Sequence, residues 1–179
     1  IRTATRWFIL KRAEKLSLTM EKGMSSSPKN ASTSPDITAF DDQYCFVCGP
    51  KNPQGLKIKV TYIPEDMAAE TELALAKEYQ GWAEVIHGGI LSTLLDEMMA
   101  HAVWHFAGPG VTLSMEVRFY HPLKPGEAIR VRGVLTSANG RRRAAEAEIT
   151  RSHDQRKIAS AKSRFLLLEG RSGKEAQTD

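Results

Sequence analysis

Between Gly55 and Ile63 the chain alternates: Leu56, Ile58, Val60 and Tyr62 fall on one side, Lys57, Lys59 and Thr61 on the other. That period of two predicts a half-buried strand. Pro64-Glu65-Asp66 turns the chain, and residues 67–75 return as a second strand with a less regular alternation. Residues 76–86 read as a loop that contains Gln80-Gly81-Trp82. The period then changes. From Gly88 to about His105, Ile90, Leu91, Leu94, Leu95, Met98, Met99, Ala102 and Val103 recur at helical spacing, until Phe106-Ala107-Gly108-Pro109-Gly110 stops the helix.

Four further strands follow. Val111 to Tyr120 carries Val111, Leu113, Met115, Val117 and Phe119 on one face. After the turn at Pro122-Leu123-Lys124-Pro125-Gly126 comes Glu127 to Ser137, where Gly133 interrupts the alternation in the manner of a bulge. Asn139-Gly140 signals a hairpin. Arg142 to Arg151 returns, and Lys157 to Leu168 closes the set. The long helix is apolar around most of its circumference and so must be buried. One such helix with six mainly antiparallel strands predicts an α+β fold, a curved sheet wrapped around the helix.

Length and charge narrow this picture. A chain of 179 residues suggests one domain. No apolar run approaches the ~18–20 residues of a membrane span, so no membrane partner is expected. The net charge is +4, but residues 1–35 hold seven basic and two acidic residues, which leaves −1 for the remainder. The basic character belongs to the N-terminal segment and gives no support for nucleic-acid binding. Residues 1–35 read as a leader and a disordered-type linker outside the fold: Met20 and Met24 are both plausible starts, which makes residues 1–19 a leader upstream of the start, and an Arg-bearing targeting segment is the rival reading. Residues 36–170 form the domain, and 171–179 read as a flexible polar tail.

Cys45 and Cys48 form a single Cys-x-x-Cys. A structural zinc site needs four ligands, and the sequence shows neither a second Cys pair nor a spaced His pair. Zinc shared across a dimer and redox activity are weaker readings than two small residues shaping a turn. No metal and no cofactor are therefore expected, and reduced thiols fit a cytoplasmic protein.

The candidate chemistry lies in the helix. Gly88 and Gly89 open it, and the first amides of a helix have no internal acceptors while the macrodipole adds positive potential. Glycines let an oxygen approach closely, which is the logic of an oxyanion hole. Gly89, Ser92, Thr93, Asp96 and Ala100 share one side as a small and polar strip between Leu and Met flanks. A carboxylate there needs a compensating network, cleft or interface. Glu97, about 100° further around the helix, reads as the more solvated or structural acid. From Gly89 to Asp96 is about 10 Å along the axis, whereas reacting groups must lie within roughly 3–3.5 Å. If both act on one carbonyl, the acid comes from a second, antiparallel copy of the helix, in a twofold homodimer with its sites at the interface.

With His87-Gly88-Gly89 followed nine residues later by Asp96, the chain resembles the hotdog-fold acyl-CoA thioesterases of the phenylacetic-acid-degradation type. The stretch Cys45-Phe46-Val47-Cys48-Gly49-Pro50-Lys51-Asn52-Pro53-Gln54-Gly55-Leu56, together with Gln80-Gly81-Trp82 and Val117-Arg118-Phe119, extends the likeness from about Tyr44 to Leu168. The resemblance implies a sheet-wrapped helix, dimers that pair into tetramers, and hydrolysis of a small, medium-chain or aryl acyl-CoA. It implies that Gly88, with Gly89, polarises the thioester carbonyl and that Asp96 of the partner subunit is base or nucleophile. His87 would orient the loop or contact the thioester, and Thr112 would assist the acid. Relatives often carry Asn or Gln six residues before the His. Here that position is Gly81, so either an extra residue lets Gln80 take the role or the role is absent. Some relatives carry Thr where this chain has Ala100.

Other residues have two readings each. Trp82 and Trp104 read as acyl-pocket walls or general packing, and Arg141-Arg142-Arg143 as a solvated turn or a contact for CoA phosphates. Ser92 is a substrate-side candidate on the polar strip. His101 and His105 read as structural or exposed. Arg130 and Arg132, like Lys162 and Arg164, mark a wet sheet face. A non-catalytic acyl-CoA binding module and a hotdog dehydratase are the alternatives to a hydrolase.

Overall fold

Six strands form one antiparallel sheet, and its order sets where the site can open. In this computed structural model, which describes residues 42–168, the elements are β1 (Thr61–Ile63), β2 (Ala68–Ala74), β3 (Gln80–Trp82), β4 (Val85–Ile86), α1 (Gly88–Ala107), β5 (Gly110–Phe119), β6 (Ala128–Asn139), β7 (Arg142–Arg151) and β8 (Lys157–Leu167). The large sheet runs β1-β2-β6-β7-β8-β5, and β3 with β4 makes a separate pair. The expected leader over 1–35 and the tail over 171–179 lie outside the described residues.

All six expected strands are in the large sheet, and α1 lies across it. Leu94, Leu95, Met98, Met99, Ala102 and Val103 are fully buried against Ile129, Val131, Ile149, Ile158 and Phe165 of β6, β7 and β8. Each large side chain so buried contributes about 1.5–3 kcal/mol relative to exposure. The sheet covers this face of α1 and leaves the strip of Gly89, Ser92, Thr93, Asp96 and Ala100 partly open. Among the described residues, no helix is long and apolar enough to cross a membrane.

Several local expectations change. Exposure alternates from Leu56 to Tyr62 as expected, yet the ladder begins only at Thr61. Lys57 takes a positive φ of 53° and breaks the strand. The amides of Leu56 and Ile58 instead donate to the Phe46 and Val47 carbonyls. Residues 76–86, expected as a loop, carry a short 3-10 turn and the β3–β4 pair.

Gly133 is not a bulge. It pairs in register with Ala69 and Ala147, and the register shift of β6 lies beyond Leu135. Its lack of a side chain serves the helix, because a Cβ there would stand 2.3 Å from the Met98 carbonyl oxygen. An unforeseen bulge does occur in β5. Thr112 pairs with Phe165 and Ser114 with Arg164, so Leu113 is the extra residue. Strict alternation would set Thr112 opposite Met115. With the bulge, Thr112 aligns with the buried Phe165 and Met115 with the buried Ser163, so both look toward α1.

Candidate active site

The first half-site is the start of α1. His87 has extended backbone angles, and its Nδ1 accepts the Gly89 amide at 2.9 Å. The His87 carbonyl accepts the amides of Ile90 and Leu91. This arrangement narrows the expectation of two glycine amides: Gly89 is already spent on the cap, and only the Gly88 N–H has no acceptor among the described residues. Two close approaches shape the turn. A Cβ at Gly81 would meet the His87 ring at 2.9 Å, and one at Gly88 would meet the Phe119 ring at 3.3 Å. Gly88, His87, Trp82, Phe119 and Leu123 line a mainly apolar cavity of about 630 Å³. No Asp or Glu lies on its wall.

The second half-site is Asp96, more than two turns further along. Its Oδ1 accepts the Thr112 hydroxyl at 3.0 Å, so the structure brings these two expected residues together. Burial pushes the Asp96 carboxyl above the usual carboxylate range, the Thr112 hydrogen bond opposes this, and neighbouring Glu97 adds to it. Because Thr112 sits on β5, the last strand of the sheet, Asp96 looks toward the sheet's open edge. Ser92 and Thr93 hydroxyls donate back to the Gly88 and Gly89 carbonyls at 2.9 Å each. Ser92 is thereby committed within the helix.

Residues 83–158 match the family model of the thioesterase superfamily. No curated protein matches the chain. Among solved structures, a thioesterase superfamily protein is 23% identical, with 87% of this chain and 77% of that one covered and a TM-score of 0.66. A hypothetical thioesterase with coenzyme A from Streptococcus pneumoniae is 18% identical, covering 64% and 88%, with a TM-score of 0.58. The PaaI protein of the Escherichia coli phenylacetic acid degradation operon is 17% identical, covering 62% and 83%, with a TM-score of 0.57. These likenesses show the fold, which is the hotdog fold expected from the sequence.

The other candidates in this domain divide by place. Gln80 begins β3, and the register shift between Gln80 and Trp82 makes Gly81 the extra residue. The Gln80 side-chain oxygen is buried without a hydrogen-bond partner. Among the described residues Trp82 is 82% exposed and lines the cavity at the helix start. Trp104 is a packing residue whose Nε1 donates to the Gly110 carbonyl at 2.8 Å. Arg141 donates to the Leu167 carbonyl, and Arg142 is exposed. Their hairpin adjoins the Leu167–Gly110 end of the sheet, where α1 finishes. A 20-residue helix spans about 30 Å, so the structure does not bring these arginines to the cavity of their own chain.

One cluster went unforeseen. Of the two readings of Glu97, solvated or structural, the structural one fits: its side chain is only 16% exposed. Its Oε1 lies 3.6 Å from the Cys45 sulfur and 3.2 Å from His101 Nε2. Burial works against the charged form, but hydrogen bonds from His101, Cys48 and Cys45 outweigh it and hold Glu97 below the usual range. Burial and then Glu97 push the Cys48 thiol up. Tyr62 of β1 reaches His101 Nδ1 at 2.8 Å. The Glu97–His101 spacing of four and the Cys-x-x-Cys were both visible in the sequence; what joins them was not.

Proposed function

We propose that this protein hydrolyses an acyl-CoA thioester to the free acid and CoA, in a twofold dimer where Gly88 of one subunit and Asp96 of the other act on the same carbonyl. The observation that carries this is the separation of the half-sites: the cavity at Gly88 contains no acid, and Asp96 faces the open sheet edge with Thr112. The edge itself supports a partner. β5 is ten residues long, has no strand on its outer side among the described residues, and exposes Val111, Leu113 and Phe119. Such an edge invites pairing. Antiparallel pairing of two β5 strands about a twofold axis would extend the sheet and set the two α1 helices side by side in opposite directions. The partly open strip of one helix would then meet the start of the other.

The chemistry follows from the donors and acceptors. The carbonyl oxygen takes the Gly88 N–H, whose donation strengthens as negative charge develops. Asp96, held through Oδ1 by Thr112, accepts a proton from water at its other oxygen while the water oxygen bonds to the carbonyl carbon. The tetrahedral species collapses, the carbon–sulfur bond breaks, and the departing sulfur takes the proton back from Asp96. The match of residues 83–158 to the thioesterase superfamily model and the similar solved structure with coenzyme A support the substrate class. Gln80, displaced by one residue through the bulge, fits the role of steadying the acyl group or the Gly88 turn. The apolar cavity with Trp82 and Phe119 suits a small, medium-chain or aryl acyl group.

The test is release of free thiol from a panel of acyl-CoAs. Asp96→Asn should abolish release while leaving the dimer intact. Unchanged turnover in that variant would overturn the proposal. Tight acyl-CoA binding with no thiol release from the unaltered protein would instead identify a binding module.

A further inference from the structure

The geometry points to a zinc site formed by Cys45, Cys48, Glu97 and His101, which clamps the N-terminal turn of the domain to α1. The two sulfurs and a Glu97 carboxylate oxygen all lie within 4.8 Å of one another. Cys45 Sγ stands 3.6 and 3.8 Å from the two Glu97 oxygens. A tetrahedral zinc with Zn–S near ~2.3 Å and Zn–O near ~2.0 Å requires an S···O edge of about 3.5 Å. Glu97 Oε1 and His101 Nε2 are 3.2 Å apart, close to the edge of about 3.3 Å that oxygen and nitrogen ligands demand. His101 Nε2 stands on Glu97, outside the close group formed by the two sulfurs and the carboxylate, so the imidazole is the ligand that must move toward the sulfurs for the shell to close.

The surroundings are those that a thiolate site needs. The Val47 amide donates to the Cys45 sulfur at 3.3 Å, a bond that strengthens once the sulfur is charged. The turn is tight: Gly49 donates to the Cys45 carbonyl at 3.0 Å, and a Cβ at Gly49 would stand 2.4 Å from the Cys45 nitrogen. Behind His101, Nδ1 meets the Tyr62 hydroxyl at 2.8 Å, and the Tyr62 ring stacks on His105 at 3.9 Å. A metal-bound histidine is oriented by such an outer partner. No Lys or Arg contributes to the Glu97 hydrogen bonds or ion pairs among the described residues. A thiolate beside this carboxylate is costly until a cation arrives. Binding would displace the two thiol protons to solvent and leave two Zn–S bonds. Two thiols, a carboxylate and an imidazole suit zinc better than calcium or magnesium, which take oxygen ligands.

Cys45 and Cys48 are free thiols gathered with the Glu97 carboxylate, and we read the cluster as a metal site. The experiment uses the full chain, reduced and stripped by a chelator, and titrates Co²⁺ and then Zn²⁺. The expected result is one Co²⁺ per chain with tetrahedral visible bands and a thiolate charge-transfer band, displaced by one Zn²⁺, and a higher melting temperature with the metal bound. Cys45→Ser with Cys48→Ser should lose the charge-transfer band. Glu97→Gln and His101→Gln keep both sulfurs and should each weaken zinc by at least about tenfold. Absence of stoichiometric zinc, or zinc affinity indifferent to Glu97 and His101, would overturn the assignment.

Discussion

Asp96 and Glu97 are neighbours in sequence and opposites in surroundings. Asp96 points toward β5, the open edge, and has one oxygen held by Thr112. Glu97 points toward β1 and the N-terminal turn, where two thiols and an imidazole surround it. A helix turns about 100° per residue, so one step separates a carboxylate with an acceptor to spare from one whose acceptors are engaged. Burial acts on both carboxylates, and the hydrogen bonds then decide. Asp96 is held above its ordinary range, and Glu97 below. Sharing a helix therefore says little about sharing a task. Asp96 is suited to move a proton for a substrate, and Glu97 is suited to hold a fixed partner.

Exchanging each acid for its amide breaks this comparison most directly. Asp96→Asn should lower thiol release by about 10³-fold, within the range for general bases, and leave zinc affinity unchanged. Glu97→Gln should do the reverse, weakening zinc while thiol release stays within a few-fold. If both variants lose hydrolysis equally, the division between the two faces fails. Thr112→Val removes only the donor to Asp96. A lost hydrogen bond to a charged group costs about 1.5–3 kcal/mol, so thiol release should fall by about 10- to 100-fold with no change in zinc uptake.

Gly133→Ala strikes the helix beneath both faces. The added methyl meets the Met98 carbonyl, so α1 must lift from the sheet. We expect a loss of about 2–3 kcal/mol in urea denaturation, with hydrolysis and zinc affinity falling together. His87→Ala is the mildest. Loss of the cap on the Gly89 amide should cost about 1 kcal/mol of stability and leave the zinc site untouched.

The large features were legible because each rests on a period. Alternation gave the six strands, and helical recurrence gave α1 with its buried face. The polar strip around Asp96 was readable for the same reason. What escaped were the places where a period slips or where distant chain returns. The bulge at Leu113 turns Thr112 toward α1, against the simple alternation of Val111, Leu113 and Met115. Gly133 looked like a bulge because a missing side chain in a strand has two causes, and only the packed helix distinguishes them. The His87 side chain takes the Gly89 amide, which the spacing of two glycines does not reveal. Glu97 stayed open between a solvated and a structural reading because nothing local to the helix announces that residues 45–49 fold over it. The expectation of no metal weighed only a second Cys pair or a spaced His pair and did not consider a carboxylate ligand such as Glu97.

The central claim is that one carbonyl is served by Gly88 of one subunit and Asp96 of the other. Gly88→Pro removes the first group's N–H: proline suits the first helical position, the extended His87 before it tolerates the ring, and its added Cβ requires a small shift of the Phe119 ring. Gly88→Pro and Asp96→Asn should each be inactive alone. Mixed in equal amounts and allowed to exchange subunits, they form heterodimers in which one site is intact and the other carries both changes. Thiol release should then recover to about one quarter of the unaltered protein. No recovery on mixing, with heterodimers demonstrably present, would place both groups in one chain's site and contradict the account.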